Sequence, residues 1–194
     1  MPLWNIYHPP NTFTSTPDKT ALANAITEIY VKAGLPRFYV NVLFQPIDPE
    51  SFFIGGVARP SPNSSANKPG RDSSVPMIRI RIEHLARQMY DMPPTPFLHP
   101  LHISTVTGTS ILTTARPNMA AKLRFMDAVD AALKPFIGDK GYDWEYGVEE
   151  VDRDLWKVNG MVPPMPGTEA EKEWAEGNVA VPFEAEKGGL AGKL

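Results

Sequence analysis

The chain has 194 residues, 42% of them hydrophobic and 21% charged, enough for one ordinary domain with extensions. Nineteen basic residues against 22 acidic ones leave a net charge of −3, which argues against an electrostatic footprint for nucleic acid or a basic face for a membrane. Cysteine is absent, which excludes disulfides, zinc–thiolate centres and thiol nucleophiles, and no apolar run approaches the ~20 residues of a bilayer span.

The chain opens Met1-Pro2-Leu3-Trp4-Asn5-Ile6-Tyr7-His8. Leu3, Trp4, Ile6 and Tyr7 predict a strand, and the polar Asn5 and His8 followed by Pro9-Pro10 do not read as a signal peptide, so cytosol is the expected compartment. Proline after the initiator methionine permits removal of Met1. Pro2 would then be a free secondary amine held at the end of a sheet, where most termini fray.

Thr16 is expected to cap a helix with Pro17 at its first position and Asp18 on its dipole, and Leu22, Ala25, Ile26, Ile29 and Ala33 form its apolar stripe. Gly34 and Pro36 end that helix, and Phe38–Phe44 is aromatic and β-branched, hence a strand. Phe52–Val57 reads as a short apolar turn docked on the sheet, and Ala58–Val75 as a surface loop. Met77–Ile82 alternates strictly, with isoleucines on one face and Arg79 and Arg81 on the other. A proline-rich insertion with a hairpin-like run at Ile103–Thr114 leads to Arg116. A second helix follows from Pro117, with Leu123, Met126, Val129, Leu133 and Phe136 as its buried stripe, and then a strand at Tyr142–Tyr146.

Strand, helix, strand thus occurs twice. The expected fold is α/β (α+β): two βαβ halves forming a four-stranded sheet with two helices on one face. The domain is placed at 2–148, with halves at 2–57 and 77–148 and an insertion at 88–115. A C-terminal extension at 149–178 would pack on the domain or on a neighbour, and Thr168–Glu171 gives it a capping box. From 179 the composition suggests a disordered tail.

Two such halves starting at an N-terminal proline resemble the tautomerase superfamily, which includes 4-oxalocrotonate tautomerase. The closer likeness is to the cis-3-chloroacrylate dehalogenase group and its fungal oxalocrotonate tautomerase relatives. It rests on Pro2 with Leu3–Tyr7, on Ala25-Ile26-Thr27-Glu28, on Val42–Phe44 leading to Phe53–Val57, on Arg116 through Tyr146, and on Asp154–Gly160 with the prolines that follow.

The resemblance implies a tautomerase: Pro2 as general acid/base, Tyr146 as a second catalytic group, and a small 2-keto or enol carboxylic acid as substrate. It implies no cofactor and a homotrimer. The carboxylate-binding pair falls on His84 and Arg87, with Arg116 second because its interval to Tyr146 also matches. Arginine suits this role because its planar fork bonds both carboxylate oxygens. The pattern's helix histidine falls on Tyr30, which at helical spacing reads first as core or interface. The glutamate that would activate water falls near Val158, an aliphatic residue, so hydrolytic dehalogenation is not expected. A catalytically weak binding protein and a hydratase or dehalogenase are the alternatives. His99 and His102 lack a third ligand in their own stretch, and no metal site is expected.

Overall fold

The protein is described from a computed structural model, which places residues 1–61, 72–86 and 119–192. Its four-stranded sheet is ordered β2–β1–β5–β6, from β1 (Leu3–His8), β2 (Asn41–Pro46), β5 (Met77–His84) and β6 (Asp143–Glu150). β1 pairs parallel with β2, β5 parallel with β6, and the halves join through the antiparallel β1–β5 pair. The parallel pairs are bridged by α1 (Thr16–Val31) and α2 (Met119–Leu133), the crossovers that parallel strands require. The fold is therefore the expected one.

The core lies on the helix side. Trp4 faces Ile82 and Ile6 faces Ile80 across β1–β5, all four inaccessible to solvent, with Leu22, Ile26, Val129 and Leu133 of the helices above them. The opposite face carries Arg79 and Arg81, both about half exposed and paired with Glu145 and Glu149. Surface pairs of this kind contribute little, with a median near 0–1 kcal/mol.

Several local expectations shift. α1 is capped one residue earlier than expected, by Ser15, whose hydroxyl accepts from the Asp18 N–H at 3.2 Å. Arg37–Tyr39 forms a 3-10 turn before β2. Phe53–Ile54 and Val57–Ala58 form a two-stranded hairpin, β3 and β4, and Phe53 is 56% exposed rather than docked on the sheet. Its turn is Gly55-Gly56, both at positive φ, which a two-residue hairpin loop needs and glycine permits.

On α2 the buried row is Ala121, Val129 and Leu133, with Phe125 half-buried, whereas Leu123 and Met126 are 51% and 42% exposed. Steps of three residues wind backwards by about 60° each, so the expected stripe slides off the core face, while steps of four hold a tighter row.

The segment after β6 belongs to the core. Trp156 and Trp174 stack edge-on against Tyr39, with centroids at 4.8 and 6.3 Å. Helix α3 (Glu169–Gly177) starts at Thr168, and Glu171 reaches back to the Gly167 N–H at 2.7 Å, one residue before the cap. The tail from 179 is not disordered through residue 192. Trp174 donates its indole N–H to the Val181 carbonyl at 2.8 Å, the Met165 N–H donates to Gly188, and Leu190 is buried. A weak composition is offset by the apolar surface it folds onto. The hairpin expected at Ile103–Thr114 lies outside the described residues.

Candidate active site at the start of β1

Pro2 is buried at the head of β1, and its carbonyl accepts the Asn41 N–H at 2.9 Å, which ties the chain start to the neighbouring strand. β1 pairs Leu3 with Glu83, so one further step of that antiparallel register sets Pro2 beside His84, and β6 sets Glu150 beside His84 in turn. The chain's first residues therefore sit in a row that crosses three strands.

The helices close over this row. Trp4 donates its indole N–H to the Tyr30 hydroxyl at 3.0 Å, both side chains being buried. Tyr30 thereby keeps its own proton available, and burial raises its pKa, so it remains a neutral hydroxyl donor. The His84 ring lies 4.9 Å from Phe125 of α2 and 5.9 Å from Tyr30. Tyr30 and His84, assigned from opposite halves of the sequence, are thus brought together beside the chain start.

A residue that the sequence reading did not select completes the corner. Arg153, just past β6, donates to the Ala86 carbonyl at 3.3 Å, to Pro163 at 3.2 Å and to Pro164, with its guanidinium 5.6 Å from the Trp156 ring. Asp152-Arg153-Asp154 reads in sequence as a solvated charged run, and nothing in it signals a cation turned inward. With Met1 in place, the chain's amine is pushed from its ordinary 8.0 down to about 4, first by burial and then by the charge of Arg153. Both effects disfavour the ammonium form.

Tyr146 stands apart from this corner within one chain. It shares a row with Ile80 and Ile6, two strands across and four residues along, about 16 Å from Pro2 by ordinary strand spacings. Its hydroxyl donates to Asp130 at 2.9 Å, and burial, together with that carboxylate, raises its pKa. It lines a cavity of about 290 Å³ with Lys122, Phe125, Met126, Val148 and Glu150, and Phe125 joins that cavity to the His84 ring. Val158 bridges Met161 in a short antiparallel contact and packs on the core, so it offers no proton acceptor. Arg87 and Arg116 lie outside the described residues. Among the described residues no group of three or more His, Asp or Glu side chains could hold a metal.

The family model described as "Putative oxalocrotonate tautomerase enzyme" matches residues 1–97 and 95–179. The chain belongs to that family. Among solved structures, a mutant of RhCC from Rhodococcus jostii RHA1 is 33% identical over 99% of each chain, with a TM-score of 0.70. Native RhCC is 34% identical over 93% of this chain and 99% of its own, with a TM-score of 0.67. A probable enzyme from the thermophilic fungus Aspergillus fumigatus is 35% identical over 94% and 98%, also at 0.67. No curated protein matches the chain. The tautomerase fold and the membership of this superfamily follow, and no helix among the described residues is long and apolar enough to cross a membrane.

Proposed function

We propose that the protein is a tautomerase in which Pro2, freed by removal of Met1, serves as general base on a small 2-keto or enol carboxylic acid. The observation that carries this is the environment of the chain start, a strand-anchored corner in which burial and Arg153 disfavour a protonated amine. Loss of Met1 would make the Pro2 nitrogen the chain's amine, at the buried head of β1. An amine unprotonated at neutral pH can accept the enol hydroxyl proton. The ammonium so formed would return the proton to carbon, and the amine is regenerated. Positioned acid–base groups of this kind typically contribute about 10²–10⁴-fold.

Tyr30 and His84 border the site, and Arg87, three positions beyond His84, would supply the fork for the substrate carboxylate, with Arg116 as the second candidate. Tyr146 would act from the adjoining cavity. A homotrimer is part of the proposal as what the family resemblance implies; in support, among the described residues β2 and β6 are edge strands and no helix covers one face of the sheet. A hydrolytic dehalogenase is disfavoured by Val158, whose packed aliphatic side chain cannot deprotonate water.

The test is intact mass together with phenylpyruvate ketonisation on wild type and Pro2→Ala. Mature protein starting at Pro2, with turnover that depends on it, is expected. Met1 retained on the bulk of an active preparation would sink the mechanism. Chloride release from 3-chloroacrylate at rates matching ketonisation would instead favour the hydrolytic reading.

A further inference from the structure

Trp4 and Tyr30 are buried side chains joined by a hydrogen bond whose direction is fixed by chemistry. An indole N–H can only donate, so across their 3.0 Å separation the Tyr30 oxygen is the acceptor. The hydroxyl keeps its own proton, and among the described residues no group accepts it. A buried hydroxyl with an unused donor is costly unless something bonds to it.

The site of that donor is set by two strands. Pro2, Trp4 and Ile6 alternate with Leu3 and Asn5 and share the buried face of β1, with Trp4 about 7 Å beyond Pro2 along the strand. The register with β5 sets Ile82 opposite Trp4 and, two steps back along β1, His84 opposite Pro2. Tyr30 reaches both rows, since its hydroxyl bonds Trp4 and its ring centroid is 5.9 Å from that of His84. The Phe125 ring of α2 stands 6.1 Å away on a further side, which restricts the phenol. The Tyr30 hydroxyl is therefore held over the head of β1, on the face that carries Pro2.

We propose that Trp4 is a positioning residue for Tyr30: its indole N–H occupies the phenol oxygen and leaves the hydroxyl proton for the substrate oxygen that becomes an enolate beside Pro2. The inference rests on the reading of Pro2 as the base. As the enol O–H breaks, its proton passes to the Pro2 nitrogen and its electron pair stays on oxygen. Tyr30 donates to that oxygen without giving up its proton, and burial, which raises its pKa, keeps it a neutral donor. A hydroxyl that accepts one hydrogen bond also gives a stronger one, so the bond from Trp4 assists the donation as well as aiming it. The charge disappears when the proton is returned to carbon. A donor fixed in advance in a dry corner acts more on the transition state than on the ground state.

The experiment is a double-mutant cycle. Steady-state phenylpyruvate ketonisation is measured on wild type, Tyr30→Phe, Trp4→Phe and the double variant, beside Pro2→Ala, with circular dichroism to establish folding. Tyr30→Phe should lower kcat by about 10²-fold with KM little changed, the usual result of removing one oxyanion donor. Trp4→Phe should lower kcat by about tenfold when Tyr30 is present, and by less than about twofold in the Tyr30→Phe background, because it acts only through that hydroxyl. Equal losses in the two backgrounds overturn the inference, and so does wild-type turnover by Tyr30→Phe. If Trp4→Phe does not fold, the indole N–H resonances of the wild type carry the test. The one displaced by Tyr30→Phe should also shift when the wild type is saturated with phenylpyruvate, and a resonance that does not move overturns the inference. Full turnover by Pro2→Ala removes the underlying reading, and the inference with it. An inactive Pro2→Ala beside equal Trp4→Phe losses removes the inference alone.

Discussion

At one end of the sheet Pro2 precedes β1 and its carbonyl accepts the Asn41 N–H at 2.9 Å; at the other, Pro76 precedes β5 and its carbonyl accepts the Asp143 N–H at 3.0 Å. Each proline thus opens the first strand of a βαβ half and is tied to the first residue of the second strand. Each end also has an inward arginine from the connection that follows a half. At the Pro76 end, buried Arg59 donates to the Asp143 carboxylate at 2.8 Å, so a countercharge lies beside the cation. At the Pro2 end, Arg153 donates to neutral carbonyls, and its field reaches the amine. Repeated architecture therefore does not imply repeated chemistry. A proline inside a chain is an amide without basic nitrogen, and an arginine beside a carboxylate is neutralised locally. Under the proposed mechanism a tunable base requires a chain start, which an internal proline cannot supply.

The comparison is broken most sharply by exchanging the prolines. Pro2→Ala should lower ketonisation by about 10²-fold or more while the protein stays folded, whereas Pro76→Ala should leave turnover essentially unchanged. Steady-state rates with circular dichroism on both variants decide this, and equal losses would show that the two ends are not functionally distinct.

Asp143→Ala tests the other end. It leaves the Arg59 guanidinium buried without that carboxylate, and breaking a buried pair from one side typically costs about 3–5 kcal/mol. Urea denaturation should show the loss, with turnover per folded molecule retained. Arg59 already has Nε and one terminal nitrogen buried without hydrogen-bond partners, so little is present to take over from Asp143.

A smaller effect is expected at the substrate end. Arg87→Ala should raise KM for a carboxylate substrate more than Arg116→Ala does, by the ~1.5–3 kcal/mol of one charge-assisted hydrogen bond. Negligible changes at both positions would mean that the carboxylate is held elsewhere, and Lys122 of the neighbouring cavity would be the next residue to vary.

The smallest effect concerns His8, at the Pro76 end of β1. Its Nδ1 is 2.9 Å from the Pro9 carbonyl and 3.0 Å from the Thr12 hydroxyl, while Nε2 is buried without a partner. Burial, aided by Lys19, lowers its pKa below 6.5 despite those hydrogen bonds. The unfolded chain then takes up the proton first, so the His8 contribution is fully present above about pH 6.5 and is lost as pH falls from there through the folded pKa. His8→Leu should flatten this part of the stability–pH curve. An unchanged curve would assign the acid sensitivity to other groups.

Sequence alone determined the elements and their pairing logic. The alternation of Ile78, Ile80 and Ile82 against Arg79 and Arg81 assigned β5 its two faces, and a strand–helix–strand order seen twice required two parallel pairs. The proposal for Pro2 could be made from sequence because it needs only a terminal amine with a strand behind it. Tertiary structure decided what depends on distance between remote segments. It buried Ala121 while exposing Leu123, because the core's position relative to α2 chooses among neighbouring helical rows. It ordered the tail on Trp174, since apolar surface from earlier in the chain is what that segment packs against. And it turned Arg153 inward, since its partners Ala86 and Pro164 lie 67 residues before it and 11 after it. A charge's effect on an amine depends on separation and desolvation in space, and neither is encoded in the local run of residues around it.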